Sequence, residues 1–150
     1  MNIMREIKTE IEIAASASEV WAILMDFHTW AEWNPIVNQA SGTATLGAKL
    51  SITMRGPEGK DGQKYFPQIT EFSAPSSFRW RAYMMLGFLF TNDKIFELEE
   101  TTAGIRLTHI EAFSGLLVPL FWGKLKDYVP GSLRSMNEAL KKRAELNSQP

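Results

Sequence analysis

Apolar and charged residues alternate at the start of the chain. Ile3, Ile7, Ile11 and Ile13 hold odd positions, and Glu6, Lys8, Glu10 and Glu12 hold even ones. A period of two puts the isoleucines on one face, so residues from about 3 to 13 predict a half-buried β-strand. The next segment, Ser16-Ala17-Ser18-Glu19, places a Ser three residues before a Glu and ahead of Val20, Trp21, Ile23 and Leu24. That is the spelling of a capped helix start. Asp26 is placed to cap a further helical turn through Phe27, Trp30 and Trp33, which stops at Asn34 because Pro35 disfavours helical geometry in the residue before it.

From about Asn38 to Phe113 the pattern predicts strand after strand. Turn signals fall at Ser41-Gly42, Gly56-Pro57-Glu58-Gly59, Asp61-Gly62, Ala74-Pro75-Ser76, Gly87 and Ala103-Gly104. No helical run separates them, so an antiparallel meander is expected rather than βαβ units. Phe78-Arg79-Trp80-Arg81-Ala82 alternates apolar with cationic residues. Phe96, Leu98, Ile105, Leu107 and Phe113 share one face of a hairpin that turns at Thr102-Ala103-Gly104. The last 25 or so residues change period: Leu125, Val129, Leu133, Met136, Leu140 and Ala144 recur every three or four, with Arg134, Glu138, Lys141, Lys142 and Glu145 opposite. A long amphipathic helix follows, bent or in two parts at Pro130-Gly131. Its apolar stripe is expected to bury against the dry face of the meander.

Composition narrows the class without naming a substrate. A chain of 150 residues fits one compact domain, 1–150. Sixteen Lys and Arg against 17 Asp and Glu leave a net charge of -1, so no overall field draws in nucleic acid or an acidic membrane. The absence of Cys removes disulfides, thiolate catalysis, zinc ribbons and iron–sulfur ligation. Residues Met1 to Lys8 have no continuous apolar core of the signal-peptide kind, and no apolar stretch approaches the roughly 20 residues a bilayer needs. A soluble, cytoplasmic protein, monomeric or weakly dimeric, is expected.

The order strand, two short helices, strands, long terminal helix resembles the START/pollen-allergen-like helix-grip superfamily, in its bacterial polyketide cyclase/dehydrase (SRPBCC) branch. The resemblance is carried by Ile11 through Trp21, by Asp26 with Trp33-Asn34-Pro35, by Phe78-Arg79-Trp80, by Arg106 through Gly115, and by Asn137 through Lys141. It implies an α+β fold in which a curved antiparallel sheet of about seven strands grips the terminal helix around a cavity. The superfamily uses that cavity for sterols, lipids, polyketides, quinones and plant hormones, and some members are enzymes.

A curved sheet and one helix leave space that is either filled by large side chains or kept for a guest. The candidate lining is Trp33, Phe66, Trp80, Tyr83, Met85, Phe88, Phe90, Phe96, Phe113, Phe121, Trp122, Tyr128, Leu133 and Met136. Aromatic and Met stripes are also ordinary core material, so both readings stand at this stage. His109 and Glu111 share a strand face and supply the polar candidates, either as ligand anchors or as an acid/base pair, or by satisfying each other.

Other chemistries find little support. His109 and Glu111 offer two metal ligands with no third nearby, so neither metal nor cofactor is expected. The Gly-x-Ser-x-Gly elbow is missing. The loop Gly56 to Gly62 does not spell a phosphate cradle and reads as a hairpin tip, or as a lid beside the cavity mouth. Arg79 and Arg81 fall on the opposite face from Phe78 and Trp80, which argues against an RNA platform. The leading expectation is a carrier or sensor for a small hydrophobic molecule such as a lipid, polyketide or aromatic metabolite. The alternatives are a cyclase, aromatase or dehydratase using His109 and Glu111, and a protein-interaction or regulatory module.

Overall fold

The computed structural model describes residues 4–84 and 86–149, so the start of the first predicted strand at Ile3 lies outside the described residues. The chain forms β1 (Met4–Ile13), α1 (Ala17–Met25), a 3-10 turn at Phe27–Thr29, α2 (Trp30–Trp33), β2 (Val37–Ser41), β3 (Ser51–Arg55) and β4 (Asp61–Tyr65). It continues through β5 (Gln68–Ser73), β6 (Ser77–Tyr83), β7 (Thr91–Thr101), β8 (Gly104–Ser114) and α3 (Val118–Asn147). The α1 start is built as its sequence predicts. Ser16 Oγ accepts from the Glu19 backbone N–H at 3.2 Å, and the Ser16 N–H donates to Glu19 Oε1 at 3.3 Å.

The strands form an antiparallel five-stranded sheet, ordered β1-β8-β7-β6-β5, and a three-stranded sheet, β2-β3-β4. A bridge between Lys49 and Gln68 joins the two at β5. Eight strands thus replace the expected seven or so, and together they make a curved, open wall. The long β7–β8 hairpin pairs Phe96 with His109 and Leu98 with Leu107, and it closes at Thr101 and Gly104. Gly104 has φ +149°, and a Cβ there would lie 2.1 Å from the Ile13 carbonyl oxygen, so only glycine fits this turn against the end of β1.

The terminal helix is a single 30-residue element from Val118 to Asn147 with Pro130 inside it. It therefore runs continuously through the proline rather than in two parts, and it begins well before Leu125. Pro130 has no N–H, so the Lys126 carbonyl loses its usual partner; Pro130 is half-buried and Lys126 exposed. Met136, Leu140 and Ala144 of α3 join Ile13, Val20, Leu24, Trp30, Phe78, Trp80 and Phe96 in the main core. Val129 and Leu133 join a second cluster with Ile7, Phe90, Phe113 and Val118 at the other end of the helix. On the outer face, Arg79 and Arg81 both bind Asp93 at 2.8 Å, opposite the buried Phe78 and Trp80.

Candidate ligand-binding site

Strand register sets the inner face of the sheet as rows of facing side chains. Trp80 of β6 pairs with Lys94 of β7, which pairs with Glu111 of β8. One step along, Phe78 pairs with Phe96, Phe96 with His109, and His109 with Thr9 of β1. The first row meets a cavity of about 100 Å³ between the sheet and α3. Its remaining walls are Trp30, Ile36 and Val37 before and within β2, Met54 of β3, Tyr65 of β4, and Tyr128, Val129, Ser132 and Met136 of α3. Tyr128 is 73% exposed and stands at the rim. This space has room for only a few water molecules.

The polar side chains on the cavity wall include Lys94, Glu111, Tyr65 and Ser132. Lys94 Nζ donates to Glu111 Oε1 at 3.1 Å, with only 5% and 17% of the two side chains exposed, and it sits 5.7 Å from the centre of the Phe96 ring. The pair uses one ammonium proton and leaves two. Burial pushes the Tyr65 hydroxyl well above the ordinary phenol range, and the Glu111 charge pushes the same way, so Tyr65 stays protonated. Trp80 Nε1 is buried with no partner, whereas Trp30 Nε1 donates to the Leu24 carbonyl at 3.1 Å. A buried donor left unpaired costs about 1–3 kcal/mol, and Trp80 Nε1 is closed off within the wall, so the donor that the cavity offers is Lys94 Nζ.

His109 belongs to a different network. Its Nδ1 lies 2.7 Å from Asn137 Oδ1, Asn137 Nδ2 donates to Thr9 Oγ1 at 2.8 Å, and Thr9 Oγ1 donates to the His109 carbonyl at 3.0 Å. The direction of this ring of bonds makes Nδ1 the protonated nitrogen and leaves Nε2 a buried, unpaired acceptor. The imidazole stacks on Phe96 at 4.3 Å. Burial first, and the Lys94 charge second, hold its pKa well below 6.5, against the opposing Asn137 bond. His109 and Glu111 thus share a face without bonding each other: Glu111 is taken by Lys94 and His109 by Asn137.

The other candidates divide by position. Trp80, Glu111, Tyr128 and Met136 line the cavity. Phe90 and Phe121, with Met84, Leu125 and Gln63, line an open apolar groove of about 240 Å³. Trp33, Phe96, Phe113, Trp122 and Leu133 pack into or against the two cores. Phe66, Tyr83 and Phe88 are exposed on the surface, and Met85 lies outside the described residues. Lys94 and Tyr65 are polar cavity-lining side chains that the sequence pattern did not single out. Lys94 carried a signal, since it shares the parity of the buried Phe96 and Leu98. A hollow of about 440 Å³ lies on the outer face among Lys8, Glu10, Glu97, Glu99 and Arg106, where its charged walls suit no hydrophobic guest. No helix among the described residues is long and apolar enough to cross a membrane.

Comparison with known proteins places this geometry in context. The family described as polyketide cyclase/dehydrase and lipid transport matches residues 4–145. Comparison with curated proteins returns no match. Among solved structures, the di-domain ARO/CYC StfQ from the steffimycin biosynthetic pathway superposes with a TM-score of 0.78 at 11% identity, over 96% of this chain and 52% of that one. The present chain therefore spans about half of that protein's length. Norcoclaurine synthase from Thalictrum flavum, solved as a point mutant with a transition-state analogue, gives 0.75 at 15% identity over 99% of both chains. A protein of unknown function from Staphylococcus aureus gives 0.76 at 13% identity, over 99% of this chain and 98% of that one. At these identities the likeness is one of fold.

Proposed function

The chain belongs to the polyketide cyclase/dehydrase and lipid transport family, and from that premise we propose that it binds a small hydrophobic molecule, as a carrier or sensor in the cytoplasm. The polar end of the guest enters the cavity beside Lys94, and its apolar body lies in the groove of Phe90, Phe121 and Leu125. The observation that carries this reading is the polar corner of a mostly apolar cavity, where Lys94 Nζ keeps two protons beyond its bond to Glu111 and Tyr65 lines the wall beside it. Lys94 and Glu111 neutralise each other, so an uncharged oxygen acceptor suits the site better than an anion. Cavity and groove are neighbours along two elements. Gln63 and Tyr65 are two residues apart on β4, and Leu125 stands one turn before Tyr128 and Val129 on α3. Neither space alone reaches the roughly 300 Å³ of a usual small-molecule site, but together they do.

A guest burying about 300 Å² of apolar surface gains roughly 7 kcal/mol, and association costs of about 4 kcal/mol or more leave only millimolar binding from burial alone, so tighter binding rests on the polar end of the guest. The test is titration of the intrinsic tryptophan fluorescence with 2-acetylnaphthalene, which carries a ketone, and with 2-ethylnaphthalene, which carries none. The ketone is expected to bind the wild type more tightly than the hydrocarbon, and Tyr65→Phe, which removes a hydroxyl from the cavity wall, is expected to narrow the gap. If neither compound binds, the cavity is core and the proposal falls.

Catalysis of the cyclase or dehydratase kind is the second reading, favoured by the position of Glu111. Its carboxylate faces the cavity with an ammonium on one oxygen, so an acceptor held there has both a proton donor and a base within the same row of side chains. Turnover of a bound polyketone, lost in Glu111→Gln with binding retained, distinguishes this reading from a carrier.

A further inference from the structure

The strands and α3 bring exposed apolar side chains together at one end of the molecule. Tyr83, Thr91, Ser114 and Met4 are in register across β6, β7, β8 and β1, so the last residue of β6 and the first of β1 stand in one row. The β6–β7 connection packs on the entry to α3 at the same end. Leu116 N–H donates to the Phe88 carbonyl at 3.1 Å, and Leu117 N–H to the Leu89 carbonyl at 3.0 Å. Met4, Tyr83, Leu86, Phe88, Leu116 and Leu120 each keep at least 61% of their surface open. The other large apolar side chains of comparable exposure among the described residues, Leu46, Phe66, Tyr128 and Leu146, lie elsewhere along the chain. Scattered exposed apolar residues are normal, but a gathered set marks an interaction surface.

Charge selects the occupant. Residues 83–92 and 114–126 contain no Asp or Glu, although acids outnumber bases in the whole chain. Lys124 stands one turn beyond Leu120, Lys126 follows, and Arg5 lies 5.7 Å over the Trp122 ring. None of these three cations has a carboxylate partner among the described residues; Glu6 and Asp127 fall just outside the patch. A second copy docked on this surface would set the same cations against each other. An anionic lipid surface instead accepts the apolar side chains among its acyl chains and the cations among its headgroups.

We propose that this end of the molecule is a docking surface for an anionic lipid bilayer, onto which the protein settles reversibly through Leu86, Phe88, Leu116 and Leu120 with Lys124 and Lys126 at the rim. The groove of Met84, Phe90, Phe121 and Leu125 opens beside this contact, so an apolar guest could pass between bilayer and protein without crossing water. The surface itself is independent of whether the cavity holds a ligand.

The test is co-sedimentation of the full chain with vesicles of equal parts phosphatidylcholine and phosphatidylglycerol, and with vesicles of phosphatidylcholine alone. Binding to the anionic vesicles is expected. It should fall roughly tenfold or more in Lys124→Gln/Lys126→Gln, and similarly in Phe88→Ser/Leu120→Ser. All four side chains are exposed, so thermal unfolding should stay within a degree or two of wild type and separate lost docking from lost folding. Failure of the wild type to sediment overturns the proposal, as do variants that bind like wild type. A concentration-dependent dimer abolished by Phe88→Ser/Leu120→Ser would assign the patch to a second copy and overturn it equally.

Discussion

Lys94 and Glu111 face each other in register across β7 and β8, with the ammonium 3.1 Å from the carboxylate on a sheet face otherwise filled by Trp80, Phe96 and Phe78. A charge pair at such a place is weak evidence of stability, because burying both ions costs about as much as their attraction returns. Breaking the pair is another matter. Lys94→Met leaves a mostly buried carboxylate unpaired, and the expected loss lies toward the lower end of roughly 3–5 kcal/mol because part of Glu111 still reaches solvent. Lys94→Met/Glu111→Leu, which removes both charges, should recover most of that loss. Urea unfolding of the three proteins checks this; a double variant as unstable as the single one would show that the pair is needed for packing rather than charge balance.

His109 makes stability depend on pH in a defined direction. Its pKa is held well below 6.5 in the folded protein, whereas in the unfolded chain it returns to about 6.5. Between those two values the unfolded chain binds the extra proton, so stability is fully present above pH 6.5 and is lost as pH falls below it, by about 1.4 kcal/mol per unit at most. His28, the other histidine, is exposed. His109→Gln should therefore lower stability at neutral pH yet flatten its decline between pH 6.5 and 5.5. An unchanged slope in the variant would place the acid sensitivity elsewhere.

Gly115 joins β8 to α3 under the docking end. Its φ is +123°, and a Cβ would lie 2.3 Å from the Leu89 carbonyl oxygen and 2.8 Å from the Phe90 backbone nitrogen. Both the conformation and the approach exclude a side chain. Gly115→Ala should lower the melting temperature by several degrees, from a cost of roughly 2 kcal/mol or more. Gly123→Ala is the control, since nothing lies within 4 Å of its added Cβ, and helical alanine should be neutral or slightly stabilising. Equal effects of the two would remove the steric argument.

Much of this architecture is legible in the sequence because its signals are local. The Ser16–Glu19 cap, the period-two isoleucines of β1 and the shared parity of Phe96 and Leu107 each need only neighbouring residues to be read. The cavity is less legible because it depends on how strands far apart in sequence face one another. Tyr65 belongs to a short strand that is otherwise exposed, so its parity alone assigns it no buried role. His109 and Glu111 look like partners at a spacing of two, but cross-strand neighbours lie closer than residues along one strand, and Lys94 takes Glu111 while α3 brings Asn137 to His109. The open lining set includes Phe66 and Phe88 because hydrophobicity marks what ought to be covered, and these two are left exposed. Pro130 suggests a break by its chemistry, yet α3 continues through it because Val129, Leu133 and Met136 on either side are held by the two cores.

Met136 offers a substitution in which stability and binding should move in opposite directions. The side chain is fully buried, lines the cavity beside Trp30 and belongs to the main core with Phe78 and Leu140. Met136→Ala removes three heavy atoms from that wall, so the cavity grows while the fold loses contacts, at an expected cost of roughly 2–4 kcal/mol. If the space is a binding site, the enlarged cavity should accept a bulkier guest: the variant should bind 2-acetylnaphthalene at least as tightly as wild type and gain affinity for its branched homologue, 2-isobutyrylnaphthalene. Each bound ligand should then restore part of the lost melting temperature, in proportion to the logarithm of its free concentration over its dissociation constant. Calorimetric melts with and without the two ketones check both halves. A variant that is destabilised but binds neither ketone better than wild type would mean that Met136 packs ordinary core and that the guest, if any, sits in the groove alone.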